Sequence, residues 1–510
     1  MEYDHIVIGG GTSGAIIASR LSEDPSRSVL LLEAGPYYPE SELPEDVRFA
    51  FAVSVTDHDW GFKAQAIPGR QMDYARGRVT GGCSSINGTI AVRALPSDLD
   101  EWAQWGNEEW SWEKTLPYYK KFENDQDYGE SYLHGGSGPI NITRWTKEEL
   151  VPLQQSFLAA CLEVGYKWVE DHNDPHSSGV GPMPMNRKGD ERISTSVGYL
   201  DPAAGRENFT IRDNTLVNRV VFEGTKAVGV EIVTDGGTEV IRGKQITVSA
   251  GTVNSPTILM RSGLGPKQDL EALGIEVVAD KPGVGKNLIE HSQALVAMIP
   301  KEGVTNPSLP DVQLLVDYTA PYSDDFNDMQ IYCVNKLGRE RFPQLSSDVT
   351  GLLFAAMVVI NRPNSRGGIT LTSTDPAAAP KIELNLNTER EDMTRLMDGV
   401  RRCWDLAQTE HLKELWTDIA VLTKETLDDD DALAKYIDDN CGTIWHPVGT
   451  CKMGPAGDDA AVVDQYCNVH GVENLRVADA SIFPNHVSRN PMLTCMAVGE
   501  RVAEWIVAGA

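Results

Sequence analysis

Tyr3-Asp4-His5-Ile6-Val7-Ile8-Gly9-Gly10-Gly11-Thr12-Ser13-Gly14 opens the chain, and Val29-Leu30-Leu31-Leu32-Glu33-Ala34-Gly35 answers it. An apolar, β-branched run leads into Gly9-x-Gly11-x-x-Gly14, a helix-like segment follows to Leu21, and a second apolar strand ends in an acid. Each residue type has a task in a dinucleotide-binding βαβ unit. Gly9 makes the tight turn, Gly11 lets the backbone approach a pyrophosphate, and Gly14 lets helix and strand pack closely. Thr12 and Ser13 start the helix whose positive end faces the phosphates, and Glu33 reaches ribose hydroxyls, with Ala34 beside it. Glycines also mark ordinary turns, but here strand, helix, strand and acid arrive in register.

Composition narrows the classes. A chain of 510 residues exceeds what one core usually serves, so two closely joined domains are expected. A net charge of −29 argues against nucleic acid, whose affinity needs clustered Lys and Arg. No apolar run reaches the roughly 18–20 residues that span a bilayer. The first residues already read as strand, leaving no room for a signal peptide. The eight cysteines include no C-x-x-C and read as reduced residues rather than a disulfide frame or zinc site. A cytoplasmic monomer or homodimer, without metal and without membrane attachment, is the expectation.

Further signals follow along the chain. Residues 36–75 read as mixed and loop-like. Arg76-Gly77-Arg78-Val79-Thr80-Gly81-Gly82-Cys83-Ser84-Ser85-Ile86-Asn87-Gly88 is dense in Gly and small hydroxyls, a composition that offers N–H groups to an anion. Trp102, Trp105, Trp110, Trp112 and Tyr118 fall at helix-compatible spacing and read as packing residues. Ile211–Phe222 and Ala227–Thr234 read as paired strands. The strand ending at Ala250-Gly251 leads to a helix over Thr257–Arg261, with Asn254 or Ser255 as cap and Pro256 in its first turn. Gly351–Ile360, Gly368–Leu371 and Lys381–Asn385 read as strands, and Asp392–Ala407 as an amphipathic helix. Near the C-terminus, Leu475-Arg476-Val477-Ala478-Asp479-Ala480-Ser481 reads as a short strand followed by a polar cluster. Asn490 at the cap and Pro491 at the first position, followed by Met492, open a last helix to about Ile506. Ahead of it lies Ile444-Trp445-His446-Pro447. Most histidines in such settings pack structurally; a functional one needs a site around it. No H-x-x-x-H or H-E-x-x-H spacing points to a metal.

Together these motifs resemble the glucose–methanol–choline (GMC) flavoenzyme oxidoreductases. The resemblance is carried by Gly9–Gly14 with Glu33, by Gly77–Asn87, by Gly251–Gly265, and by Trp445-His446-Pro447, Asp479-Ala480 and Asn490-Pro491. Gly283-Val284-Gly285-Lys286-Asn287-Leu288 and Ser365-Arg366-Gly367 add to it. It implies an α/β fold: a Rossmann-like FAD-binding domain with a substrate domain built on a six-stranded antiparallel sheet. By position, the first domain comprises residues 1–145, 200–295 and 436–510, and the second 146–199 and 296–435.

The resemblance further implies FAD-dependent oxidation of an alcohol. Gly9, Gly11, Thr12, Ser13, Gly14, Glu33 and Ala34 would hold the ADP half, with Val217 meeting the adenine edge through its backbone. Arg78, Gly81, Gly82, Ser85, Asn87 and Gly88 would run beside the pyrophosphate and flavin, Ala250 and Gly251 nearby, Asp479 and Ala480 beside the ribityl chain, and Pro491 and Met492 near the flavin ring. His446 would take the hydroxyl proton with Asn490 as partner, while hydride moves to flavin N5. Ile444 and Trp445 would line the substrate pocket and favour a flat, apolar primary alcohol, aromatic or furanic. In choline oxidase the flavin is attached to a histidine of the Gly-Gly loop; Ile86 stands here, so FAD is expected to be non-covalent. Asp127-Tyr128-Gly129, Leu133-His134-Gly135 and Ile444-Trp445-His446 look more like the hydroxymethylfurfural and aryl-alcohol oxidases. With O2 as acceptor the products would be aldehyde and H2O2. A dehydrogenase using a quinone or other acceptor, and a hydroxynitrile lyase on the same scaffold, are the alternatives.

Overall fold

A computed structural model describes residues 2–51, 53–339, 345, 349 and 351–509. The opening strand Glu2–Ile8 lies parallel to Val29–Leu32 on one side and to the C-terminal half of the long strand Gly237–Val248 on the other. Phe209–Arg212 and Leu475–Val477 extend the parallel sheet at its two sides. The ends of its central strands that lead to the glycine turn are apolar, as a sheet covered on both faces requires; Ile6, Val7, Ile8 and Leu30–Leu32 are almost wholly buried. The turn after the first strand needs glycine twice. Gly9 has φ +92°, and a Cβ there would stand 2.5 Å from the Ser249 carbonyl oxygen; a Cβ on Gly14 would stand 2.0 Å from that of Gly9.

The N-terminal half of Gly237–Val248 turns antiparallel with Lys226–Thr234, which pairs with Val217–Glu223. The continuous strand expected over Ile211–Phe222 is therefore two strands in different parts of the sheet. They are separated at Asn214 (φ +46°), whose N–H, with that of Thr215, is held by the Gly35 and Glu33 carbonyls.

A second sheet runs, in spatial order, Trp416–Ile419, Ser292–Pro300, Leu352–Ile360, Met329–Gly338, Leu314–Tyr318 and Gly179–Pro182, antiparallel at every step. The two-residue strand Gly442–Thr443 pairs with the start of Ser292–Pro300 and brings the segment before His446 to this sheet. Helix Arg390–Gln408 covers one face, burying Leu396, Val400 and Cys403 against Val296, Phe354 and Val358. The other face carries Gln293, Tyr332 and Met357 toward the space between the two sheets.

Several local expectations change. Residues 36–75 contain a hairpin, Phe62–Ile67 and Arg70–Tyr74, which joins Lys381–Glu383 and Gly368–Thr370 in a separate four-stranded sheet. Alanines at the inward positions 64 and 66 gave that alternation little contrast. Trp105 is 47% exposed at the end of its helix, whereas Trp102 and Trp110 are fully buried. The helix expected at Thr257 begins at Gly251. Pro256 sits inside it, and the Thr252 carbonyl that its missing N–H would have bonded accepts the Thr450 hydroxyl instead, at 2.6 Å. Neither Asn254 nor Ser255 caps this helix; Asp479 accepts from Gly251 N at 2.9 Å and from Ser255 Oγ at 2.5 Å. The last helix is Met492–Ala508, with Pro491 at its boundary and Asn490 just outside. Asn490 does not cap it, because its amide turns toward His446.

No helix of the described residues is long and apolar enough to cross a membrane. All eight cysteines are free thiols.

Candidate active site

A cavity of about 520 Å3 runs from the glycine-rich turn to the second sheet. At one end it is lined by Gly9, Gly11, Thr12, Ser13, Glu33, Ala34, Val217, Ala250 and Gly251. Along its length lie Gly82, Asn87, Gly88, Asp479, Ala480, Pro491 and Met492. At the far end stand Ile444, Trp445, His446 and Asn490. The fold thus brings most of the candidate residues to one space, from segments hundreds of residues apart. Gly14, Arg78, Gly81 and Ser85 do not line it. Gly14 packs helix on strand, and Gly81 bonds the Gly10 carbonyl through its N–H. Ser85 donates to the Thr80 carbonyl at 2.7 Å, and the Arg78 guanidinium lies over the Trp60 ring.

The nucleotide end fits a dinucleotide. Helix Thr12–Leu21 has no side-chain cap, which leaves its first N–H groups to a ligand. The space a Cβ would fill at Gly11 has no neighbour nearer than 3.8 Å, and at Gly251 none within 4 Å, so ligand atoms can approach both backbones. Glu33 is buried, and its oxygens accept from Gly10 N and Gly35 N, each at 2.8 Å. Burial outweighs those bonds and raises its carboxyl to about 7. Each oxygen keeps a second lone pair, the capacity ribose hydroxyls require.

At the far end, Trp445 has φ +60°, an uncommon conformation for a bulky residue. Arg76 Nη2 donates to its carbonyl at 2.6 Å and its N–H bonds Thr443 Oγ1 at 3.1 Å, which hold the bend. The bend presents His446 to the cavity, from which its ring is partly accessible. Asn490 Nδ2 stands 3.4 Å from His446 Nε2. His446 Nδ1 meets His291 Nδ1 at 3.1 Å, and the His446 carbonyl meets His486 Nε2 at 2.7 Å. Among the described residues no carboxylate bonds the ring. Glu290 accepts only the backbone N–H groups of His446, at 2.7 Å, and His291, at 2.9 Å, and the Tyr74 hydroxyl donates to its other oxygen. Burial, then His486 and Arg76, hold His446 well below the ordinary histidine range. Burial likewise lowers His291, and it pushes His486 down to about 4. His486 meets two carbonyls and, with its ring neutral, donates to only one of them.

His291, His486, Glu290 and Tyr74 escaped the sequence reading, and Arg76 was read only as the start of the glycine-rich loop. His291 closely follows the Gly283–Leu288 landmark and His486 lies four residues before Asn490, yet only the fold sets three histidines side by side. Ligand-type side chains also converge at Glu123, Asp125 and His134, but Arg93 and Arg144 pair with these carboxylates.

The sequence matches the GMC oxidoreductase family over residues 3–293 (its N-terminal domain) and 363–499 (its C-terminal domain). The chain belongs to the GMC oxidoreductases. Members at full-length similarity include a 5-(hydroxymethyl)furfural oxidase of Methylovorus sp., 32% identical over 100% of this chain and 99% of that one. An oxygen-dependent choline dehydrogenase of Brucella anthropi is also 32% identical, over 99% and 96%. Among solved structures, pyridoxine 4-oxidase from Mesorbium loti superposes with a TM-score of 0.92 at 28% identity, covering 99% of each chain. This GMC protein is accordingly an FAD-dependent oxidoreductase acting on CH–OH donors. The resemblance drawn from its motifs, the two-domain fold class and the cofactor all stand.

Proposed function

We propose that this GMC enzyme oxidises a primary alcohol on a flat, mostly apolar body, benzylic or furanic, to the aldehyde. The observation that carries the reading is the convergence of His446 Nε2 and the Asn490 amide on the wall of a cavity whose other end is the dinucleotide cradle. His446, neutral because it is buried without a carboxylate partner, takes the hydroxyl proton; Asn490 orients the hydroxyl oxygen without competing for it. Gly9, Gly11, Thr12, Ser13, Glu33 and Asp479 hold FAD, together with the Gly81–Gly88 loop. When bound, FAD would supply the acceptor for the carbinol hydride; with O2 as final acceptor, that hydride's two electrons and proton, together with the hydroxyl proton, account for the two hydrogens of H2O2. Ile86 has no atom able to bond a flavin, so the cofactor is dissociable.

The substrate class follows from the walls. Phe51, Tyr332, Val334, Met357, Ile444 and Trp445 supply aromatic and aliphatic surface, and Gln293 and Asn490 supply amides. Among the described residues three acids also line the cavity, and each is already engaged. Glu33 and Asp479 are bonded by backbone N–H groups, and Asp311 pairs with Lys336 at 3.3 Å. That disfavours a quaternary-ammonium alcohol such as choline.

An alcohol panel tests the reading: flavin bleaching is followed without oxygen, then peroxide is measured in air. Benzylic and furanic alcohols should bleach fastest and give stoichiometric peroxide. Choline ahead of them by tenfold in kcat/KM, or bleaching without peroxide formation, would contradict the substrate and the acceptor respectively.

A further inference from the structure

A neutral imidazole carries its hydrogen on one nitrogen only, so His446 serves as a base at Nε2 only if that hydrogen sits on Nδ1. The partners of His291 decide the question. This ring is fully buried at the head of strand Ser292–Pro300. Its Nε2 meets the Val487 carbonyl oxygen at 3.2 Å, and the Asn361 backbone also bonds the ring. A carbonyl only accepts, so His291 Nε2 carries the hydrogen. Burial beside two other histidines keeps the ring neutral, which leaves its Nδ1 a lone pair. That lone pair faces His446 Nδ1 at 3.1 Å. Two lone pairs repel at this distance, so the hydrogen between the rings belongs to His446. Its Nε2 is then bare, on the side of Asn490 and the cavity. The reverse order would set a His291 lone pair against a carbonyl oxygen.

The surroundings hold this arrangement rigid. His486 stacks on His291 with ring centroids 3.6 Å apart. Glu290 ties the two backbones together by accepting the N–H groups of both His291 and His446.

From this geometry we infer that His291 is a positioning residue, which fixes His446 in the Nδ1–H tautomer and aims its bare Nε2 at the substrate hydroxyl. The O–H bond of the alcohol breaks and an Nε2–H bond forms, while the Nδ1–H of the resulting imidazolium stays donated to His291. A carboxylate in this place would stabilise the imidazolium, so the base would take a proton from solvent before substrate arrived; a neutral histidine orients it and leaves it unprotonated. The inference rests on reading His446 as the base, and the test separates the two.

Nitrogen NMR of the holoenzyme carrying labelled histidine reads the tautomer directly and needs no variant. His446 should show a protonated Nδ1 and a bare Nε2 at neutral pH, and the opposite pattern overturns the inference. In anaerobic stopped flow, His291→Leu removes the acceptor and should lower the limiting rate of flavin reduction roughly 10–100-fold, the worth of holding a reacting group in line, with alcohol affinity little changed. His291→Asn returns an oxygen near the lost Nδ1 and should recover the rate to within about fivefold. A wild-type rate in His291→Leu sinks the positioning role alone. A wild-type rate in His446→Ala sinks the base itself, and the inference with it.

Discussion

Two polar clusters in this molecule hold histidine in different charge states. His134 is 3% exposed, and its ring nitrogens meet Asp125 and Asp171 at 2.9 Å and Glu123 at 3.3 Å. Burial opposes its charge, but those bonds prevail and lift it to about 10. His291 and His486 are fully buried and His446 is half-buried beside them; carbonyls, an amide and one another are what their rings meet, and all three are lowered. Burial alone therefore does not set the state of a histidine; the partner facing the ring does. The first cluster cross-links the protein, and the second keeps the proposed base unprotonated.

The largest effect is expected at the base. His446→Ala should bind FAD and fold normally yet reduce its flavin about 10²–10⁴-fold more slowly in anaerobic stopped flow. Lost FAD with near-normal reduction in the surviving holoenzyme would make His446 a packing residue and erase the contrast. His134→Leu should do the reverse. It leaves Glu123, Asp125 and Asp171 short of a cation, which should cost about 3 kcal/mol in chemical denaturation and leave the flavin-reduction rate of folded enzyme unchanged. Because His134 is raised, its contribution to stability is complete below the unfolded value of about 6.5 and is lost as pH climbs toward 10. The His134→Leu stability curve should therefore lose part of its alkaline decline.

Asn490→Ala should slow flavin reduction by roughly tenfold, less than loss of the base, since an amide orients the hydroxyl without taking its proton. Helix stability should barely change, as no capping bond is lost. The smallest effect belongs to Gln293, whose Oε1 is buried without a bonding partner. Gln293→Leu should lower kcat/KM a few-fold, about 1 kcal/mol, for alcohols bearing a second polar group and leave benzyl alcohol alone. Equal loss for both would remove it from substrate recognition.

The nucleotide end was legible in the sequence because Gly9, Gly11, Gly14 and Glu33 lie within one βαβ unit, where Gly14 closes on the Gly9 carbonyl and Glu33 is bonded by Gly10 and Gly35. His446 and Asn490 could be named through a family pattern, but their meeting depends on a chain reversal that no spacing records. His291 and Glu290 were missed for the same reason, being 155 and 156 residues from His446 along the chain. The helix starting at Gly251 was misread because its cap comes from Asp479 and its proline is excused by Thr450, both distant in sequence. Short elements with small inward residues, such as Phe62–Ile67, offered too little contrast for periodicity to register.

The claim on which the rest depends is that His446 is neutral at rest and is the proton acceptor. The limiting rate of anaerobic flavin reduction, measured against pH in wild type and in His446→Gln, tests it most directly. The active form is unprotonated and its ionisation is lowered, so the wild-type rate should be flat from about pH 7 upward and fall only on the acid side of the ordinary histidine value of about 6.5. The variant should be slow at every pH and lack that acid limb. A wild-type rate still climbing above pH 7, or a variant within threefold of wild type, would contradict it.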